Sequence, residues 1–313
     1  MKYLKILVIN VVIVTICYQL LEVSCFFISL KNSYLQCNNG RTFSQYVFDN
    51  FNGLYSKKYV SFDELYKNLD FRNVVGSEYN KKKPIVIFGC SFAYGASLQE
   101  KQTFSYKLSQ CLKRKVYNRA YPGWGPQDML YQLRRADFYN ETVTEEPEAV
   151  IYLFFNGHSC RLYREVWFFE SQIFYRNSKN KLVLSPYSAG SPLYGYLAKS
   201  LRRSIVDDFV FQQKNFENIR EFLAEHFISA KEEMQKHWKD TKFYILVYSC
   251  EQDIEKPVLE NLKNQGFKVI FIEDLTPINY YTSNYHISEF DSHPNEKAWD
   301  LLTPLIAKKL EMN

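Results

Sequence analysis

Four short apolar runs recur along the chain, "PIVIFG", "EAVIYLFF", "KFYILVY" and "KVIFI", and the more polar "KVYNRAY" is a further strand candidate after the first of them. Runs of this length, without polar alternation, suit strands buried on both faces. Between and after them lie helical patterns. Glu100 to Leu112 places Phe104, Leu108 and Leu112 on one face. Gly125 to Tyr139 carries Pro126 in its first turn. Further helices are expected at Phe211 to His237, at Ile254 to Asn264 and after Pro294. Strands alternating with helices predict an α/β domain with a parallel sheet covered on both sides. Right-handed crossovers then gather the C-terminal ends of the strands at one edge, where open α/β sheets build their sites.

The pattern begins at Pro84. Before it, Met1 to Lys5 is a short basic start, and Ile6 to Leu21 ("ILVINVVIVTICYQLL") contains no charge. This reads as a signal peptide or, preferably, an uncleaved anchor over residues 1–30, because no small-x-small cleavage site stands out. The rest of the chain is then expected outside the cytoplasm in the cell envelope, periplasmic in a Gram-negative cell. Residues 31–83 read as a linker and peripheral layer, and 84–313 as the main domain. Within that domain, about 161–210 fits no strand-helix unit and reads as an insertion. Its "EVWFFESQIFYRNSKNKLVLSPY" suggests two strands around the polar turn Asn177 to Asn180.

A hydrophobic content of 46% in 313 residues supports a full core. The 39 Lys and Arg are scattered and nearly balanced by 34 Asp and Glu, which argues against a nucleic-acid partner. The seven cysteines show no CxxC pair and no His/Cys metal spacing, so no structural zinc site is expected, and their odd count and wide separation argue against a disulfide framework while leaving one bridge among Cys37, Cys111, Cys160 and Cys250 open.

Four local features share the expected edge. "IFGCSFAYG" sets Cys90 and Ser91 where the first strand meets a helix. Ser91 there aims its hydroxyl at the edge and its N–H lies near a helix start. "NRAYPGWG" brings Gly123, whose amide no side chain shields, to the end of the second strand. "FFNGHSCR" ends the third strand with Asn156, Gly157 and His158. "EFDSHPNEKAWDLL" places Asp291 and His293 directly before a last helix started by Pro294, as a carboxylate able to orient an imidazole. His226 and His237 lie in a charged helical pattern and read as solvated, while His286 is the sequence-near competitor of His293.

Taken in order, these blocks resemble the SGNH (GDSL-like) hydrolase superfamily, over about residues 84–160 and 242–311. "FGCSFAYG" is similar to "GDSFxxG" with Cys90 in place of aspartate. "DSHPN" resembles the Asp-x-His-Pro ending of membrane-anchored and exported members, and "NVVGSEY" their lead-in to the first strand. The third block departs from Gly-x-Asn-Asp. Asn156 fits the asparagine, while His158 to Arg161 matches relatives that carry a histidine three residues before an arginine.

The resemblance implies a flavodoxin-like three-layer sandwich with a five-stranded parallel sheet. It implies Ser91 as nucleophile, His293 as base and Asp291 as its orienter. Ser91, Gly123 and Asn156 would form the oxyanion hole, with His158 as a substrate contact and no cofactor. The activity implied is ester hydrolysis or O-acyl transfer, which sequence does not separate. An ester-bearing small molecule or an O-acetylated cell-envelope glycan is the expected substrate, with lipid esters as the alternative. A binding or assembly protein with a degenerate site is the reading from another class, motivated by Cys90 and the third block. Cys90 as nucleophile is a third reading.

Overall fold

The computed structural model describes Tyr66 and residues 69–162, 174–176, 182–184 and 205–312. The expected anchor and most of the expected insertion lie outside these residues. The chain divides into two compact units. One comprises Met1–Ser61, Arg164–Val166 and Pro186–Glu217, and its described part is the opening of a long helix that starts at Ile205. The other comprises Phe62–Tyr163, Trp167–Ser185 and Asn218–Asn313 and holds the sheet.

In chain order the elements are β1 (Ile85–Gly89), α1 (Ser91–Tyr94), α2 (Phe104–Leu112), β2 (Val116–Asn118), α3 (Pro126–Leu133), β3 (Ala149–Phe154) and α4 (His158–Leu162). There follow β4 (Phe174–Arg176), β5 (Leu182–Leu184), α5 (Ile205–His237), β6 (Lys242–Val247), α6 (Glu255–Asn264) and β7 (Lys268–Phe271). The chain closes with β8 (His286–Ser288), β9 (Asp291–Pro294) and α7 (Glu296–Glu311). The main sheet has the order β2-β1-β3-β6-β7, and all four of its pairings are parallel. All five expected strands are present. The two strands expected on either side of Asn177 to Asn180 are present as β4 and β5, which pair antiparallel.

Side chains alternate along each central strand and so divide the core in two. Val86, Phe88, Val150, Tyr152, Phe154, Phe243 and Ile245 pack with Leu130 and Leu133 of α3, Leu223 and Phe227 of α5 and Leu259 of α6. Ile85, Ile87, Ile151, Leu153 and Leu246 pack on the other face with Phe104 and Leu108 of α2 and Trp299, Leu302 and Ile306 of α7. Helices on both faces of a parallel sheet make the three-layer α/β sandwich. Each large side chain removed from water here stabilises the fold by about 1.5–3 kcal/mol.

Residues before Pro84 join this unit. Tyr66 is buried in the first core layer. Val75 exchanges backbone bonds with Val116 of β2 (3.1 and 2.9 Å). The Arg72 guanidinium donates to the carbonyls of Tyr94, Gly95 and Leu98 at 2.7–3.1 Å.

Two local expectations change. The last helix starts at Glu296, not Pro294, because Asn295 caps it, its side chain accepting from the Ala298 N–H. Pro294 instead ends β9, which pairs antiparallel with β8 across a register shift. Asp291 and His293 therefore sit on a hairpin strand. His226 is fully buried with its Nδ1 2.8 Å from the Phe222 carbonyl, which corrects its reading as solvated. His237 is exposed and stacks on Tyr139.

Candidate active site

The turn after β1 is dictated by sterics. Gly89 has φ +148°, and a Cβ there would lie 2.9 Å from the Leu153 carbonyl oxygen and 2.9 Å from the Ala93 Cβ. Only glycine passes this bend without a shift of β3 or α1. Cys90 follows as the N-cap of α1, fully buried, with no capping bond from its side chain. Its side chain joins the apolar layer containing Phe104 and Trp299. Ser91 is the first helical residue, so its N–H is one of the amides that the helix itself leaves unpaired.

Asn118 ties this turn to the next. Its side chain donates to the Ala93 carbonyl (2.8 Å) and to Ser105 Oγ (3.2 Å), and accepts from the Ala120 N–H (3.2 Å). The Tyr121 N–H donates to the Gly89 carbonyl (3.2 Å). Gly123, buried and at φ +87°, lies two residues beyond.

The imidazole facing Ser91 comes from a distant part of the chain. Ser91 Oγ is 2.7 Å from His293 Nε2, across 202 residues of sequence. His293 Nδ1 is hydrogen-bonded to Asp291 Oδ1. The same Oδ1 accepts from the His293 backbone N–H at 3.0 Å. With donors facing it, Asp291 stays ionised. Burial pushes its pKa up, but the two His293 bonds and the charges of His293 and His286 outweigh that and hold it below the usual carboxylate value. An ionised Asp291 fixes the proton of His293 on Nδ1 and leaves Nε2 to accept from Ser91. Phe92, next to the serine, stacks on Phe155 (3.9 Å) and supports the His293 ring from 4.9 Å. Asn295 braces the hairpin by donating to the His286 carbonyl (2.7 Å). His286 lies on β8 against Tyr281 and does not replace His293 in this chain of bonds.

The two candidates of the third block differ in exposure. Asn156 is exposed at the end of β3, and its backbone N–H donates to Ser249 Oγ (3.3 Å). His158, expected to touch substrate, is instead fully buried. Its Nδ1 accepts from the Phe155 N–H (3.3 Å) and lies 3.0 Å from the Tyr152 hydroxyl. Burial, reinforced by the Arg161 charge, drives its pKa well below the ordinary value, so it is neutral. His158 is a packing residue whose ring meets the edges of Tyr152 and Phe154.

Sequence reading missed Glu255. Almost wholly buried at the start of α6, its Oε1 accepts from the Gly157 N–H (3.2 Å), the Ser159 N–H (3.2 Å) and Ser159 Oγ (2.7 Å). Its Oε2 accepts from the Glu251 N–H (2.9 Å). Burial raises its pKa to about 7 against these bonds, with the Glu251 charge adding to the rise. Its partners on the third block lie 96 and 98 residues away, so no local motif marks it.

No family model matches the sequence, and no curated protein matches it. Solved structures resemble its fold. One is a protein from Desulfitobacterium hafniense DCB-2 assigned to the G-D-S-L lipolytic family, at 12% identity and TM-score 0.43, covering 72% of this chain and 99% of that one. A second is the acetyl xylan esterase Est2A of Butyrivibrio proteoclasticus, at 9% identity and TM-score 0.44, covering 74% of this chain and 64% of that one. A family two carbohydrate esterase from Cellvibrio japonicus aligns at 11% identity and TM-score 0.40, over 74% of this chain and 61% of that one. The chain thus spans less than two thirds of either esterase's length.

Proposed function

We propose that the chain is a serine esterase of the SGNH type. The observation that carries this reading is the bonded series from Ser91 Oγ through both nitrogens of His293 to Asp291 Oδ1. In the first step Ser91 Oγ attacks the ester carbonyl carbon while Nε2 takes the hydroxyl proton. The carbonyl electron pair moves onto oxygen, where the Ser91 and Gly123 N–H groups and the Asn156 amide receive it. Each such donor lowers the barrier by roughly 3 kcal/mol. Collapse breaks the bond to the alcohol, which leaves with the proton from Nε2. Water, or an acceptor hydroxyl in a transferase, then attacks the acyl-serine with Nε2 again as base, and Ser91 regains its proton. Asp291 stays ionised throughout and stabilises the imidazolium.

An O-acetylated glycan of the cell envelope is the substrate class we favour. Half-buried Tyr94 on α1 and Tyr121 on the turn before Gly123 meet edge to face (6.0 Å), and aromatic faces of this kind stack on sugar rings. A lipid ester is the second reading, favoured by Phe290, which is 98% exposed beside Asp291. The envelope location itself is proposed from the apolar N-terminal stretch Ile6 to Leu21.

The test is covalent trapping with a fluorophosphonate followed by peptide mapping. The label is expected on Ser91 and absent in Ser91→Ala. Undiminished labelling in that variant, or labelling abolished by Cys90→Ala alone, overturns the assignment. Matched incubations with acetylated xylan and with a phospholipid as esters distinguish the two substrate classes by which one releases acid.

A further inference from the structure

Building on the esterase reading, we infer that Glu255 is a positioning residue that holds Asn156 in place for the oxyanion. Asn156 stands at an exposed strand end, where an unconstrained side chain samples several rotamers. An oxyanion donor works only if it is aimed before charge develops. The residue after it, Gly157, has φ +93° and open space around its Cα, so neither sterics nor packing fixes the bend there. The turn closes on itself through the His158 N–H to the Phe155 carbonyl (3.2 Å) and the Phe155 N–H to His158 Nδ1 (3.3 Å), and polar partners outside it tie it to the neighbouring strand's loop.

Two such partners, Ser249 and Glu255, both follow β6. Ser249, at the end of β6, accepts the Asn156 N–H. Six residues on, Glu255 receives the next available amides of the turn, those of Gly157 and Ser159, together with the Ser159 hydroxyl. Its second oxygen takes the Glu251 N–H from the loop after β6. One buried carboxyl therefore fastens the turn after β3 to the loop after β6, and Asn156, held to Ser249 through its own N–H, directly precedes the residues that Glu255 fastens. β3 and β6 are themselves paired in register from Ala149↔Lys242 to Phe154↔Val247, so the latch extends that pairing beyond the last ladder bond. A substrate acyl group never meets Glu255, which is buried; its effect passes through Asn156.

The test combines Glu255→Ala, Glu255→Gln and Asn156→Ala. The glutamine variant keeps shape and an Oε1 acceptor for three donors but turns an NH2 toward Glu251 N–H, so it remains folded where alanine leaves a cavity. With p-nitrophenyl acetate, kcat is expected to fall about 10- to 100-fold in Glu255→Ala, with KM nearly unchanged, because the lost contact is made in the transition state. Glu255→Gln is expected to recover most of this loss. The double variant Glu255→Ala/Asn156→Ala should fall within about twofold of Asn156→Ala alone, since residues acting through one group are not additive. Hydrogen exchange at residues 157–159 should accelerate in Glu255→Ala. Full additivity of the two substitutions, or unchanged exchange at 157–159, overturns the latch while leaving the esterase intact. A wild-type chain that neither turns over the ester nor labels at Ser91 overturns the esterase reading, and the inference with it.

Discussion

The turn after β1 and the turn after β3 lie on neighbouring strands, paired from Ile85↔Ala149 to Gly89↔Leu153, yet different forces hold them. At the first, Gly89 slips past the Leu153 carbonyl, Cys90 is buried, and Phe92 is clamped by Phe155 and His293. At the second, Gly157 has open space around it, and the bend is fastened by Ser249 and Glu255 from almost a hundred residues away. The first is shaped by excluded volume and the second by hydrogen bonds to a buried carboxyl. Sterically enforced turns tolerate solvent conditions and fail on substitution, while polar ones respond to both.

The largest effect expected belongs to the group that the β1 turn serves. His293→Ala should lower kcat/KM by about 10^4-fold or more, with the fold intact by circular dichroism, because the triad acts as a unit. A loss below tenfold would mean that the β1 turn presents Ser91 to some other base. Next, Gly89→Ala tests whether sterics alone set that turn. It should cost about 3–5 kcal/mol in urea unfolding, since alanine is strained at this φ and its Cβ meets backbone. A cost under 1 kcal/mol would remove the contrast between the turns.

The β3 turn is probed by pH. Glu255 titrates at about 7 in the fold against an ordinary 4.5, so the folded state holds a proton that the unfolded state has released. Its contribution is fully present below pH 4.5 and is lost as pH rises through 7. The loss amounts to about 3 kcal/mol over that window. In Glu255→Gln the stability curve should be flatter between pH 4.5 and 7 by that amount, and an unchanged slope would sink the assignment. The smallest effect is expected at Cys90. Cys90→Ala should cost about 1 kcal/mol and leave the rate of Ser91 labelling unaltered, because the thiol packs among apolar side chains.

The same contrast explains what could be read from the sequence. Apolar runs bounded by turns identify β1, β3, β6 and β7, since burial on both faces leaves a continuous mark in the residue string, while β2 in the more polar "KVYNRAY" is expected from its place between two helical patterns. Ser91, Asp291 and His293 were legible because each sits beside a strand or helix end with its own local signal. β2 stops at Asn118, short of Tyr121, because the Asn118 side chain turns inward to Ala93 and Ser105, a tertiary choice that no window of sequence contains. The β8–β9 hairpin was missed because its irregular register leaves no alternation to read. His226 was misread for a similar reason. On a charged helix its burial depends on which face meets the sheet, and its neighbours Leu223, Phe227 and Ala230 are the buried ones. His158 and Glu255 exchanged expected importance, since both derive their roles from partners that only the fold brings near.

The 202 residues separating Ser91 from His293 also set an order in time. On a ribosome adding 5–20 residues per second, about 10–40 s pass between synthesis of the serine and synthesis of the histidine bonded to it. Throughout that interval the nascent chain carries a hydroxyl without that imidazole. On the proposed function, reactivity arrives with the β8–β9 hairpin, after every strand of the main sheet has been made.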